Sequence, residues 1–156
     1  MSKKANNIRV MCRFRPMNEI EASKGSTMIY SPLTKNGAKI EHPDKAHHPH
    51  PMQFYFDRIF GPKSAQVELF EDAASPLIDN IFEGYNATIF AYGQTGSGKT
   101  HTMMGDLSKI YEAHPRVGII PRVVREIWSR IVNADTNCEF ELKVGYTPSL
   151  NSNSVL

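Results

Sequence analysis

Apolar and polar positions first alternate over residues 8–15, where Ile8, Val10, Cys12 and Phe14 oppose Arg9, Met11, Arg13 and Arg15 until Pro16 ends the run. This predicts a half-buried strand. Period two also places Arg13 and Arg15 on one face at the strand end, where α/β proteins tend to hold ligands. On spacing alone, a solvated basic edge is the more economical account of the pair. Residues 54–60 predict another strand, with Phe54, Phe56 and Arg58 set against Tyr55, Asp57 and Ile59 and closed by Gly61-Pro62. Val67, Phe70, Ala74, Leu77, Ile78 and Ile81 then recur at three to four residues, predicting a helix with Ser64 as N-cap, Gly84 as its left-handed stop and a kink or break at Pro76.

Residues 87–92 form a short, continuously apolar run of the kind a parallel strand shows when helices cover both its faces, and they predict a central strand. A helix beginning at Lys99 is interrupted by Gly105, a polar loop spans 106–118, and helical period returns from Pro121 through Val123, Val124, Ile127, Trp128 and Ile131. Cys138, Phe140, Leu142, Val144 and Tyr146 alternate against Glu139, Glu141 and Lys143, the clearest strand pattern in the chain. Residues 18–52 are irregular, with short strand candidates at 27–30 and 38–41, and residues 147–156 are small, polar and aperiodic, which predicts a disordered tail. The order strand, helix, central strand, glycine-rich loop, helix predicts an α/β architecture with a mainly parallel central sheet flanked by helices.

Composition narrows the function classes. Of 156 residues, 40% are hydrophobic and 22% charged, the balance of one globular domain, and a net charge of +2 supports neither nucleic-acid nor membrane binding. Cys12 and Cys138, the two cysteines, lie on the apolar side of strand patterns and read as small buried thiols rather than a disulfide or metal ligands. His42, His47, His48 and His50 sit among prolines without ligand spacing, so no metal site is assigned there. With no apolar stretch of membrane-spanning length, a cytoplasmic location is expected.

Gly93, Gln94, Thr95, Gly96, Ser97, Gly98, Lys99 and Thr100 satisfy the phosphate-loop pattern in full, with an apolar run before them and a helix after. The glycines let successive amides turn inward as donors for a polyphosphate. Lys99 supplies a point charge for the β and γ phosphates, and Thr100 a hydroxyl for a magnesium ion, so ATP and Mg2+ are the expected ligands. Hydrolysis needs a carboxylate behind the metal, but Asp106 lies too close to the loop and Asp135 in a polar turn. The residues support binding better than turnover.

Arg13-Phe14-Arg15-Pro16, Phe56-Asp57-Arg58-Ile59-Phe60, the segment 84–103 and the segment 118–122 together resemble kinesin motor domains, over nearly the whole chain. The resemblance implies the three-layer P-loop NTPase fold of the kinesin motor, with Arg13, Arg15 and Pro16 flanking the adenine and His101 stacking from the other side. It also implies a cytoskeletal location and microtubules (tubulin) as partner, with binding weak or absent for a chain of this extent. Residues 1–146 match the N-terminal half of the motor domain, and 147–156 diverge. The family's Asn-x-x-Ser-Ser-Arg and Asp-x-x-Gly-x-Glu switches occur nowhere in the sequence. The expectation is therefore ATP binding by a motor head lacking its second half, with hydrolysis and movement doubtful. The alternative is a non-motile nucleotide-binding fragment or inactive product. A small-molecule kinase sharing only the loop is disfavoured, because no lid arginines follow Thr100.

Overall fold

The computed structural model describes residues 8–109, 114–135, 137–143 and 145. Strand β1 (Met11–Arg13) pairs in parallel with β5 (Arg58–Phe60), in the register Met11 to Arg58, Cys12 to Ile59 and Arg13 to Phe60. Phe14 N–H donates to the Phe60 carbonyl at 2.8 Å and carries the pairing one residue further. Between them lie a short helix α1 (Glu19–Ser23) and an antiparallel meander of β2 (Tyr30–Pro32), β3 (Gly37–Ile40) and β4 (Met52–Tyr55). The strand predicted over 54–60 is thus two strands in two sheets, separated at Phe56 and Asp57. Helix α1 was not expected, although Asn18 and Glu21 form a reciprocal capping box that announces it.

The predicted helix after Ser64 is present but interrupted. It runs as α2 (Gln66–Leu69), a π-helical turn (Phe70–Ala74) and α3 (Ser75–Phe82), with Ala65 rather than Ser64 at its N-cap. Pro76 accounts for the interruption, because it has no N–H to give the Asp72 carbonyl four residues earlier. Arg9 takes that acceptor instead, its Nη1 donating at 2.8 Å, while Arg58 Nε reaches the Asp72 carboxylate at 2.7 Å. Gly84 closes α3 with φ +91°, as expected.

Helix α4 (Lys99–Met103) ends at Gly105, and α5 (Ile119–Val132) follows the loop, part of which (110–113) lies outside the described residues. Helix α5 packs on the π-helical turn, α3 and α4. Phe60, Ile78 and Val117 are the largest fully buried side chains, joined by Ala38, Ile59, Leu69, Ala74 and Ile119. That core is drawn from β3, β5, the broken helix and the start of α5.

Two expectations about strands need correction. Residues 87–92 lie before the glycine loop without joining either sheet, and Phe90 and Tyr92 are 82% and 86% exposed. Residues 138–143 form no strand either, and the rest of that alternation, Val144 and Tyr146, lies outside the described residues, as does the 147–156 tail. An apolar run becomes a strand only where neighbours supply ladder partners and cover its faces, and among the described residues none does so here. Cys138 is accordingly exposed and Cys12 only half-buried, both as free thiols.

One close crossing ties α4 to α5. Gly105 bridges Val117, and a Cβ on Gly105 would lie 2.2 Å from the Arg116 carbonyl oxygen. Its φ of +75° adds left-handed strain for any other residue. Gly105→Ala should therefore lower unfolding free energy by about 3 kcal/mol, combining left-handed strain with overpacking. Urea-induced unfolding of wild type and variant measures this directly; a change below about 1 kcal/mol would contradict the crossing.

Candidate functional site

The glycine loop adopts backbone conformations that side chains resist. Gly93, Gly96 and Gly98 have φ of +151°, +80° and +97°, and a Cβ at Gly93 would meet Ser97 Oγ at 2.7 Å. Lys99 Nζ donates to the carbonyls of Gly93 (2.7 Å) and Gln94 (2.9 Å), so the loop curls around its own ammonium group. The Ser97 amide closes a turn on the Gln94 carbonyl at 3.1 Å. Helix α4 has only five residues, roughly 7.5 Å of axis, which leaves its two ends too close for a full macrodipole. Positive charge beside the loop therefore rests on the Lys99 ammonium more than on the helix end. Thr100 is exposed on the first turn of α4.

A cleft of about 470 Å³ opens beside the loop, lined by Arg13, Arg15 and Pro16 from the end of β1, by Pro62 and Ser64, and by Gly96, Gly98 and His101. The two arginines that period two placed together do share this wall. A second hollow, about 110 Å³ between Glu41, His42, Lys45 and His48, contains none of the loop residues. The larger cleft has the size and apolar-polar mixture of a small-molecule site.

Both arginine head groups are engaged. Arg13 is half-buried, with Nη1 donating to Gln66 Oε1 and Thr102 Oγ1, each at 3.0 Å. Burial pushes its pKa down from the usual arginine value, and the two acceptors offset part of that cost. Arg15 forms a two-pronged pair with Glu21, the Nη1 to Oε2 arm at 2.8 Å, and donates also to the Pro16 carbonyl at 3.0 Å. Part-burial first, then the Arg13 charge, lower the His101 pKa from its ordinary value, with Asp106 opposing. The shift favours the neutral imidazole.

Gln66 and Glu21 serve the site by holding its two arginines, Glu21 from within the capping box of α1 and Gln66 without any motif. Gln66 is 4% exposed, the one buried polar residue among those described, and its signal in the sequence is a polar side chain on the apolar stripe 66, 70, 74, 78. Asp106 and Asp135 are turn-formers: Asp106 Oδ1 accepts from Ser108 N–H and Oγ, and Asp135 Oδ1 from Asn137 N–H. Among the described residues no group of three or more His, Cys, Asp or Glu could hold a metal ion. No helix there is long and apolar enough to cross a membrane.

The family model for the kinesin motor domain matches residues 13–151. A kinesin heavy chain of Syncephalastrum racemosum is 43% identical over 141 residues, 90% of this chain and 14% of its own length. The kinesin-1 heavy chain of Homo sapiens is 43% identical over 143 residues, again 90% of this chain and 13% of its own length. A solved structure of a fast kinesin, described for its ATPase mechanism and interactions with microtubules, superposes with a TM-score of 0.76 at 36% identity. That match covers 87% of this chain and 36% of the other, so this chain spans a minor part of each relative.

The Arg15–Glu21 pair has a pH signature. The Arg15 guanidinium, then the Asn18 N–H, hold the Glu21 carboxyl down from 4.5 to about 2. A carboxyl with a lowered folded pKa contributes stability that is present above 4.5 and lost as pH falls through about 2. The difference in thermal midpoint between wild type and Glu21→Gln should stay constant above 4.5 and shrink steadily towards 2. Calorimetric scans across that range measure it, and a difference independent of pH would mean the pair does not form.

Proposed function

This chain belongs to the kinesin motor domain family, whose members are ATP-binding microtubule motors, and on that premise we propose that it binds Mg-ATP in the cleft beside the glycine loop. The observation that carries the proposal is the convergence of Arg13, Arg15 and Pro16 with Gly96, Gly98 and His101 on one cleft of about 470 Å³. The base lies between the β1 end and His101, where a neutral imidazole suits a purine face. Lys99 exchanges its loop carbonyls for phosphate oxygens. Magnesium keeps several waters and takes few protein ligands, so the Thr100 hydroxyl with phosphate oxygens forms an adequate donor set. When bound it neutralises phosphate charge, and the chain's own contribution is to gather and orient the nucleotide.

Turnover and movement belong to the family; to residues 1–156 we assign binding. Neither switch pattern occurs in them, and the aspartates after the loop cap local turns. Microtubule binding by this chain is proposed as weak or absent on the same ground.

A second reading, a nucleotide-binding module of limited stability without motor activity, is favoured by the exposure of Phe90 and Tyr92 beside the loop. A scanning calorimetry trace without a cooperative transition supports that reading, and a sharp one opposes it.

Isothermal titration with Mg-ATP tests the main proposal. Wild type should bind, and Lys99→Ala and Thr100→Ala should each weaken affinity by about tenfold or more, the worth of a hydrogen bond to a charged group. Unchanged affinity in both variants would overturn the site. Microtubule-stimulated ATPase should remain at background, and clear stimulation would overturn the restriction to binding.

A further inference from the structure

We propose that Gln66 is a positioning residue for the nucleotide base, holding His101 in the tautomer that carries its proton on Nε2; the inference rests on the nucleotide-binding reading above. Gln66 is 4% exposed and lies between β1 and the turn of α4 that follows the phosphate loop. A buried amide persists there only if its donors and acceptor are used.

The direction of each bond follows from the partners. Arg13 has no acceptor atom, so the Gln66 oxygen faces Arg13 Nη1 at 3.0 Å, and the amide nitrogen faces His101. Gln66 Nε2 donates one hydrogen to the His101 carbonyl at 2.7 Å, and its second points to His101 Nδ1 at 3.4 Å. A ring nitrogen that faces an N–H must offer its lone pair, so Nδ1 is unprotonated and the proton of the neutral ring sits on Nε2. The tautomer is thus set through a chain that begins at the strand: Arg13 orients the Gln66 amide, and the amide orients the imidazole. Arg13 Nη1 also reaches Thr102 Oγ1, anchoring the same turn of α4 independently of Gln66.

Two substitutions separate this role from packing. Gln66→Glu keeps the volume and the acceptor for Arg13 but removes both donors, so His101 should move its proton to Nδ1. Gln66→Met removes every polar contact at similar volume. Histidine 15N and 13C shifts of the nucleotide-free chain report the tautomer, and titration calorimetry with Mg-ATP and with inorganic tripolyphosphate separates base from phosphate binding. In wild type the Nε2–H tautomer should dominate. In Gln66→Glu the Nδ1–H form should replace it, ATP affinity should fall about three- to tenfold, the worth of one neutral hydrogen bond, and tripolyphosphate affinity should stay within about twofold.

An unchanged tautomer in Gln66→Glu overturns the inference, as does equal weakening towards both ligands, which marks a structural role. If Gln66→Met fails to fold, Gln66→Glu decides alone. If wild type binds no ATP, the nucleotide-binding reading fails, and the tautomer measurement still decides whether Gln66 sets the ring.

Discussion

The half-buried guanidinium of Arg13 is the interaction around which the cleft is organised. A charge withdrawn from water is tolerable only when its donors are met, and here they are met by Gln66 of α2 and Thr102 of α4. Those acceptors come from segments 53 and 89 residues away in the chain. Satisfying one cation therefore brings the end of β1, the start of α2 and the helix after the phosphate loop to a single place. Arg15, two residues on, is met locally by Glu21 and forms the outer wall of the same cleft. The inner arginine sets the architecture, and the outer one shapes the mouth.

Much of this site was legible in the sequence because its signals are local. Glycines at 93, 96 and 98 declare a loop whose backbone must take positive φ, and all three do. Period two on β1 places Arg13 beside Arg15 without reference to any other element, and Pro76 breaks its helix through a missing N–H. The role of Gln66, by contrast, is non-local. Nothing near Gln66 in the chain reveals that Arg13 and His101 meet it, and α1 hides in an irregular stretch although its capping box is readable once sought.

The failed strands at 87–92 and 138–143 teach the complementary lesson. Their patterns are correct statements about which side chains prefer to avoid water, but a strand is a relation between segments and not a property of one. Within the described residues the parallel sheet stops at β1 and β5, so the apolar run ahead of the loop has composition without partners. The kinesin-type fold is nonetheless recognisable, with a TM-score of 0.76 to a solved kinesin structure. The phosphate loop thus combines a firm attachment on its helical side with little support on the side of 87–92.

The sequence holds a single tryptophan, Trp128, and α5 presents it 62% exposed alongside Val124 and Val132. An indole so placed already reports a watery environment in the native chain, so its emission colour changes little when the fold is lost. The same ring would shift to the blue when another apolar surface covers that face of α5. Intrinsic fluorescence of this protein is therefore a gauge of association far more than of folding.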